Sequence, residues 1–201
     1  MTDRPEQPNR PARPARKEPA PRIYELNVKL MDTQPPVWRR LDVPGNMTFA
    51  RLHEVLRIAM GWTGQHPHFF RVGKRHLGPV QKLDDPHLLN ERKNKLQDHV
   101  RKPQSIFHYV YDPENEWTHE IFVEQIRAPG ADDPVIPVCL DGKRAAPPED
   151  VEGAIGYQEL LAVLADPDDP HHQERRTQVG PDFDPDAFDV DSVNAALAHS
   201  T

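Results

Sequence analysis

Two runs of alternating side chains, residues 105–111 and 117–124, stand either side of five turn-forming residues, Asp112-Pro113-Glu114-Asn115-Glu116. Phe107, Tyr109 and Tyr111 share one face of the first run. Trp117, His119, Ile121 and Val123 share one face of the second. Period-two alternation is the signature of a strand with one buried face, and a short polar connection returns the chain beside itself. The pair reads as a β-hairpin, and the rest of the fold has to be built around a sheet that contains it.

Other segments supply partners for that sheet. Tyr24, Leu26, Val28 and Leu30 alternate with Glu25, Asn27 and Lys29, which predicts a half-buried strand. A second extended run, with Val37, Arg39 and Leu41 on one face and Trp38, Arg40 and Asp42 on the other, lies between Pro35-Pro36 and Pro44-Gly45. Thr48 is placed to cap a helix over about 49–60, with Phe49, Leu52, Leu56 and Ala59 as its apolar stripe and Gly61 as its stop. Residues 68–72 and 135–140 read as further strands. Residues 73–104 are polar and weakly patterned, with room for a short strand or helix. Tyr157, Leu160, Leu161 and Leu164 have helical spacing up to Asp166-Pro167, another short helix follows Pro170, and Val193 and Leu197 lie on a last one. Strands in antiparallel pairs, with helices between and after them, give an α+β fold with a mainly antiparallel sheet.

The length of 201 residues suits one domain with a tail. Residues 1–21 form a Pro/Arg-rich arm without a large apolar residue after Met1, expected to be disordered; the folded domain is expected over 22–201. The single cysteine, Cys139, excludes an intrachain disulfide and any CxxC zinc site, and fits a reducing, cytoplasmic setting. No apolar window is long enough for a membrane span. The formal charge of −7 removes bulk attraction to phosphate backbones and leaves only local basic patches. Such a patch is offered by the arm together with Arg71, Lys74, Arg75, Arg92, Lys93 and Lys95.

Site-type residues are plentiful. His53, His66, His68 and His119 are candidate nitrogen ligands for a divalent metal, with Asp112, Glu149 or Asp150 as oxygen ligands. No pair has HxxxH spacing, and packing with a hydrogen bond is the favoured role for these histidines. His66 and His68 would point the same way on a strand. Trp38, Trp62 and Trp117 are candidates for stacking on a ligand ring or for anchoring the core. Arg39 and Arg40 face opposite ways on a strand, so one meets solvent or a phosphate and the other pairs with a carboxylate, such as Glu149 or Asp150. Pro147-Pro148 stiffens the loop that presents Glu149 and Asp150, which serve as acid and base, as metal ligands, or as acceptors for backbone N–H groups at the loop or at the helix of Tyr157. Together Trp38, Arg39, Arg40, His53, Trp62, His66, His68, Tyr109, Asp112, Trp117, His119, Glu149, Asp150 and Tyr157 are the candidate groove. Phosphate-loop, dinucleotide and nucleophile-elbow patterns are absent, and no cofactor is implied.

From about Ile23 to Leu197 the chain resembles the plasmid pRiA4b ORF-3-like family, also labelled insertion-element passenger proteins of TnpR type. The motifs that carry the likeness are Pro36-Val37-Trp38-Arg39-Arg40, Leu52-His53 through Gly61-Trp62, His66 to Phe70, Tyr109 to His119, Pro147 to Asp150, Gly156-Tyr157 and the terminal Asp-Phe-Asp-Pro. The resemblance implies a compact α+β domain in a mobile-element setting, without recombinase chemistry: Ser105, Ser192 and Ser200 have no arginine cluster, and no Arg-His-Arg-Tyr set is found. Relatives carry a Gly-Asp-rich turn where this chain has Pro113-Glu114-Asn115-Glu116, and cysteines where it has Ala146 and Val151, so no thiol chemistry is available at that loop. The favoured expectation is an intracellular binding or adaptor domain for a protein or nucleic-acid segment, not an enzyme. A metal-dependent hydrolase using the His/Asp/Glu set and a DNA-binding accessory protein are the alternatives.

Overall fold

The computed structural model describes residues 21–79, 87–130, 133 and 137–200. Up to residue 20 the predicted arm lies outside the described residues. The fold is α+β. Eight strands form one sheet: β1 Ile23–Leu30, β2 Trp38–Pro44, β3 His68–Val72, β4 Arg75–Gly78, β5 Leu89–Asn90, β6 Ile106–Tyr111, β7 Trp117–Arg127 and β8 Val138–Lys143. Their spatial order is β5-β4-β3-β6-β7-β1-β2-β8. Every pair is antiparallel except β4–β5.

The predicted hairpin is β6–β7, with Tyr109 opposite His119 and Tyr111 opposite Trp117. Its connection is held by Asp112, whose carbonyl accepts from the Asn115 and Glu116 amides at 3.0 and 2.8 Å, while Asp112 and Glu116 take positive φ. Asp and Asn tolerate such turns through local side-chain bonds, here Asn115 Nδ2 donating to Asp112 Oδ2 at 2.8 Å.

Five helices follow the chain: α1 Phe49–Met60, α2 Leu96–His99, α3 Gly153–Ala165, α4 His172–Val179 and α5 Val190–His199. In α1, Thr48 Oγ1 accepts from the Arg51 amide, and Gly61 closes the helix at φ 74°, the left-handed conformation that glycine adopts without steric cost. The buried face of α1 crosses the sheet. Phe49 meets Phe70 of β3 at 5.0 Å, and the Ala59 carbonyl accepts from Arg39 of β2 at 2.8 Å. Leu26, Val28, Leu41, Leu52, Leu56, Phe107, Ile121 and Val123 form the interior of this layer. The opposite face carries Glu25, Asn27, Arg40 and Glu124, linked by hydrogen bonds and ion pairs.

Two sequence expectations are corrected. The strand placed at 135–140 begins at Val138, opposite Asp42, and runs to Lys143. Pro137, which cannot donate a ladder bond, precedes it; residues 135 and 136 lie outside the described set. Neither Arg39 nor Arg40 pairs with Glu149 or Asp150. Arg40 faces Glu124 and Glu25, and Arg39 is buried with its guanidinium donating to the carbonyls of Ala59, Trp38 and Lys143. Burial brings the Arg39 pKa down to about 10, and the cation rests 4.2 Å over the Phe188 ring.

Candidate functional site

An open cleft of about 480 Å³ lies between the first half of α1, the start of β3 and the segment after β5. Its floor is polar and buried. His53 of α1 and His68 of β3 stack face to face, ring centroids 3.4 Å apart and 2° from parallel. His68 Nε2 is hydrogen-bonded to Glu91 Oε2 at 2.8 Å, and both side chains are only 6% exposed. His53 Nδ1 shares a hydrogen bond of 2.8 Å with the hydroxyl of Tyr109. Burial drives the Tyr109 phenol well above its ordinary pKa of 10, with the Tyr111 and Glu91 charges adding to the effect, so the hydroxyl is neutral.

The rim carries both signs of charge. Arg51 donates to the Ser200 carbonyl and hydroxyl, and Glu54 accepts from Arg57 at 2.7 Å. Arg92 completes the rim. The one hydroxyl side chain in the lining, Thr48, is engaged as the α1 cap.

Behind the cleft an aromatic ladder continues into the interior. Tyr111 stacks on Trp62 at 4.7 Å and 15°, and Trp62 Nε1 donates to the Pro147 carbonyl at 2.9 Å. Glu149 accepts from the Tyr111 hydroxyl and from the Thr63 amide. Burial alone would raise the Glu149 pKa, but these hydrogen bonds outweigh it and hold it below its ordinary value. The Tyr111 phenol is pushed up to about 12, by burial first and by Glu149 second. The Pro-Pro-Glu-Asp run is therefore a strap tying the Gly61–Gly64 loop to β6. It does not cap α3, whose N-cap, Glu152, makes no side-chain bond.

The other predicted residues separate into three groups. His66 Nδ1 meets Asp112 Oδ2 at 3.2 Å, outside the cleft lining. His119, Trp117 and Tyr157 are sealed in the interior, and burial lowers the His119 pKa to about 4. Trp38 and Arg40 lie on the far face of the sheet, and Asp150 is exposed. The seven residues of the hydrolase set thus do not converge. Among the described residues, no three His, Cys, Asp or Glu side chains are grouped to hold a metal ion. Cys139 is buried, and its thiol is raised to about 11, which excludes a reactive thiolate.

Glu91, Glu54, Arg51 and Arg92 were absent from the predicted groove. Glu91 lies in the weakly patterned stretch, 23 residues from His68, and no periodicity links the two. A second open cleft, of about 510 Å³, lies between α3 and α4 and includes Glu159, Val163, His171 and Arg175, with no buried polar side chain in its lining.

A family model described as plasmid pRiA4b ORF-3-like protein matches residues 22–192. The chain belongs to the plasmid pRiA4b ORF-3-like family. An uncharacterized protein of Sinorhizobium fredii, y4hQ, is 35% identical over 178 residues, which cover 87% of this chain and 90% of that one. A crystal structure of a protein of unknown function from Methanosarcina mazei Go1 is similar, with a TM-score of 0.77 and 32% identity, covering 86% of this chain and 97% of that one. The family is uncharacterised, and its name carries a plasmid label. No helix of the described residues is long and apolar enough to cross a membrane.

Proposed function

We propose that this chain is a non-catalytic binding module that seats a short peptide segment of a partner protein in the cleft over His53 and His68, in a plasmid or mobile-element setting. The observation that carries this reading is the cleft floor itself: polar, buried and pre-paired, with each of its groups held by an intramolecular partner. Such a floor offers fixed hydrogen-bonding edges at low entropic cost.

Among the described lining residues no free hydroxyl or thiol is offered as a nucleophile, since Thr48 is spent on the helix cap. Both signs of charge at the rim, Arg51 and Arg92 against Glu54, suit the mixed donors and acceptors of a peptide better than a polyanion. The hydrolase alternative has less support, because its seven residues do not gather at one place. The plasmid label of the family supports the genetic setting, and the buried free thiol of Cys139 fits a reducing compartment.

The test is a titration of isotope-labelled protein with pooled short peptides. Amides of Thr48 to Glu54, Gly64, Glu91 and Arg92 are expected to shift, with the peptides recovered intact. Cleavage of the peptides, or shifts confined to other surfaces, would contradict the reading.

A further inference from the structure

The chain is acidic overall, but its charge is sharply divided. The described residues between Arg71 and Lys102 hold eight Lys or Arg side chains, all exposed: Arg71, Lys74, Arg75, Arg92, Lys93, Lys95, Arg101 and Lys102. Against them stand two carboxylates, Glu91 and Asp98. One of those, Glu91, is already engaged by His68. None of the eight makes an ion pair with a carboxylate among the described residues. From Glu149 to His199 the balance reverses, with 13 Asp or Glu against two Arg.

The fold places the basic stretch at one edge of the sheet and the start of α5, with Asp186, at the other, while Glu149 stays beside the Gly61–Gly64 loop. Residues 71–102 form the β3–β4–β5 edge and α2, brought together by strand pairing and by Arg75 contacting His99. The acidic stretch includes α5, whose Asn194 side chain brackets the backbone of Cys139 on β8, the other edge strand. From β4 to β8 there are six strand spacings in the sheet order. At about 4.8 Å each this is roughly 30 Å, more than three times the Debye length of about 8 Å at physiological salt. The acids beside β8 are therefore screened from anything bound at the basic edge, and the net charge of −7 does not by itself govern what that edge attracts.

We infer that the β3–β4–β5 edge, with α2 and the segment through Lys102, is a docking surface for the phosphodiester backbone of a nucleic acid. The eight cations are spread over several chain segments and do not converge on a point. A regularly repeating polyanion meets such a spread through successive phosphates and gains from counterion release at each. A neighbouring ring pair adds apolar contact: Phe69 and the exposed His76 lie 5.5 Å apart beside Arg71. This inference rests on the reading of the chain as a binding module, and its surface meets the peptide cleft only at Arg92; Arg92 is left intact in the variants below, so the two are tested separately.

The experiment measures anisotropy of a labelled DNA duplex of about two helical turns with the full chain, from low to physiological salt. Binding is expected with a log–log salt slope steeper than about −3. The triple variant Arg71→Gln, Lys74→Gln, Arg75→Gln should flatten the slope by about two to three and weaken low-salt binding at least tenfold. The pair Arg101→Gln, Lys102→Gln is an independent second set, expected to flatten it by about one to two. Lys143→Gln, on β8, should leave it unchanged. Absence of salt-dependent binding, or slopes unchanged in both variants, overturns the inference. So does a basic edge that drives self-association in sedimentation at low salt without binding DNA.

Discussion

The imidazole of His53 lies flat against that of His68, a helix side chain on a strand side chain, with Tyr109 holding the outer edge of one and Glu91 that of the other. The orientation of the stack is set by the two hydrogen bonds at its flanks, and those flanks are where substitutions should register.

His68→Ala removes the hydrogen-bonding partner of a buried carboxylate. It should cost about 3–5 kcal/mol, against about 1–2 kcal/mol for Glu91→Gln, whose amide keeps a hydrogen bond to the ring. Urea denaturation of the two variants measures the difference. Equal, small losses would mean that the pair does not hold the cleft floor.

Glu149 ties the Pro147–Asp150 loop to Tyr111 and Thr63. Its folded pKa lies below the ordinary value of 4.5. The unfolded chain therefore takes up the proton first as pH falls. The stabilisation is fully present above about pH 4.5 and is lost as pH falls through the lower folded value. Stability of the wild-type chain and Glu149→Gln, followed from pH 6 downward by thermal unfolding, should converge in acid. Parallel curves would show that the strap does not depend on the carboxylate.

His119 works in the opposite sense to a paired histidine. Burial lowers its folded pKa from 6.5 to about 4, so between those values the unfolded state binds the proton and the folded state does not. Stability is complete above pH 6.5 and falls as pH drops toward 4, by on the order of 3 kcal/mol. Imidazole resonances should show His119 neutral at pH 5, and His119→Phe should flatten the acid limb of the stability curve. A His119 resonance titrating near 6.5 would contradict its sealed position.

Gly153 opens α3 at φ 65°, and a Cβ there would lie 2.6 Å from the Asn115 carbonyl oxygen in the β6–β7 turn. Gly153→Ala meets both the left-handed conformation and the clash, and should cost about 2–3 kcal/mol. Gly61→Ala, where no atom would lie within 4 Å of the added Cβ at φ 74°, isolates the backbone part of that cost. Equal losses in the two variants would show that the Asn115 contact contributes nothing.

The sheet was legible because its signal is local. The alternation of β1 and β6–β7, the Thr48 and Gly61 caps of α1 and the spacing of α3 all appear within windows shorter than a dozen residues. Long-range pairings were not legible. The partner of His68 is a carboxylate in a stretch with no periodicity, and the strand that precedes it, β5, has only two residues. Arg39 looked like a carboxylate partner because sequence shows its charge and not the three carbonyls that surround it. The histidine motifs were visible as a set, but the stack of His53 on His68 depends on where α1 crosses β3. His119 has the same composition signal and is sealed within the interior.

The claim that most of this account depends on is that the floor formed by His53, His68 and Glu91 receives a ligand. Crystals of the full chain soaked with a library of small amide- and carboxylate-bearing fragments test it directly. Fragments are expected in that cleft, hydrogen-bonded to its floor or to Arg92, and lost from it in crystals of His68→Ala. A cleft that stays empty while fragments gather between α3 and α4 would contradict it.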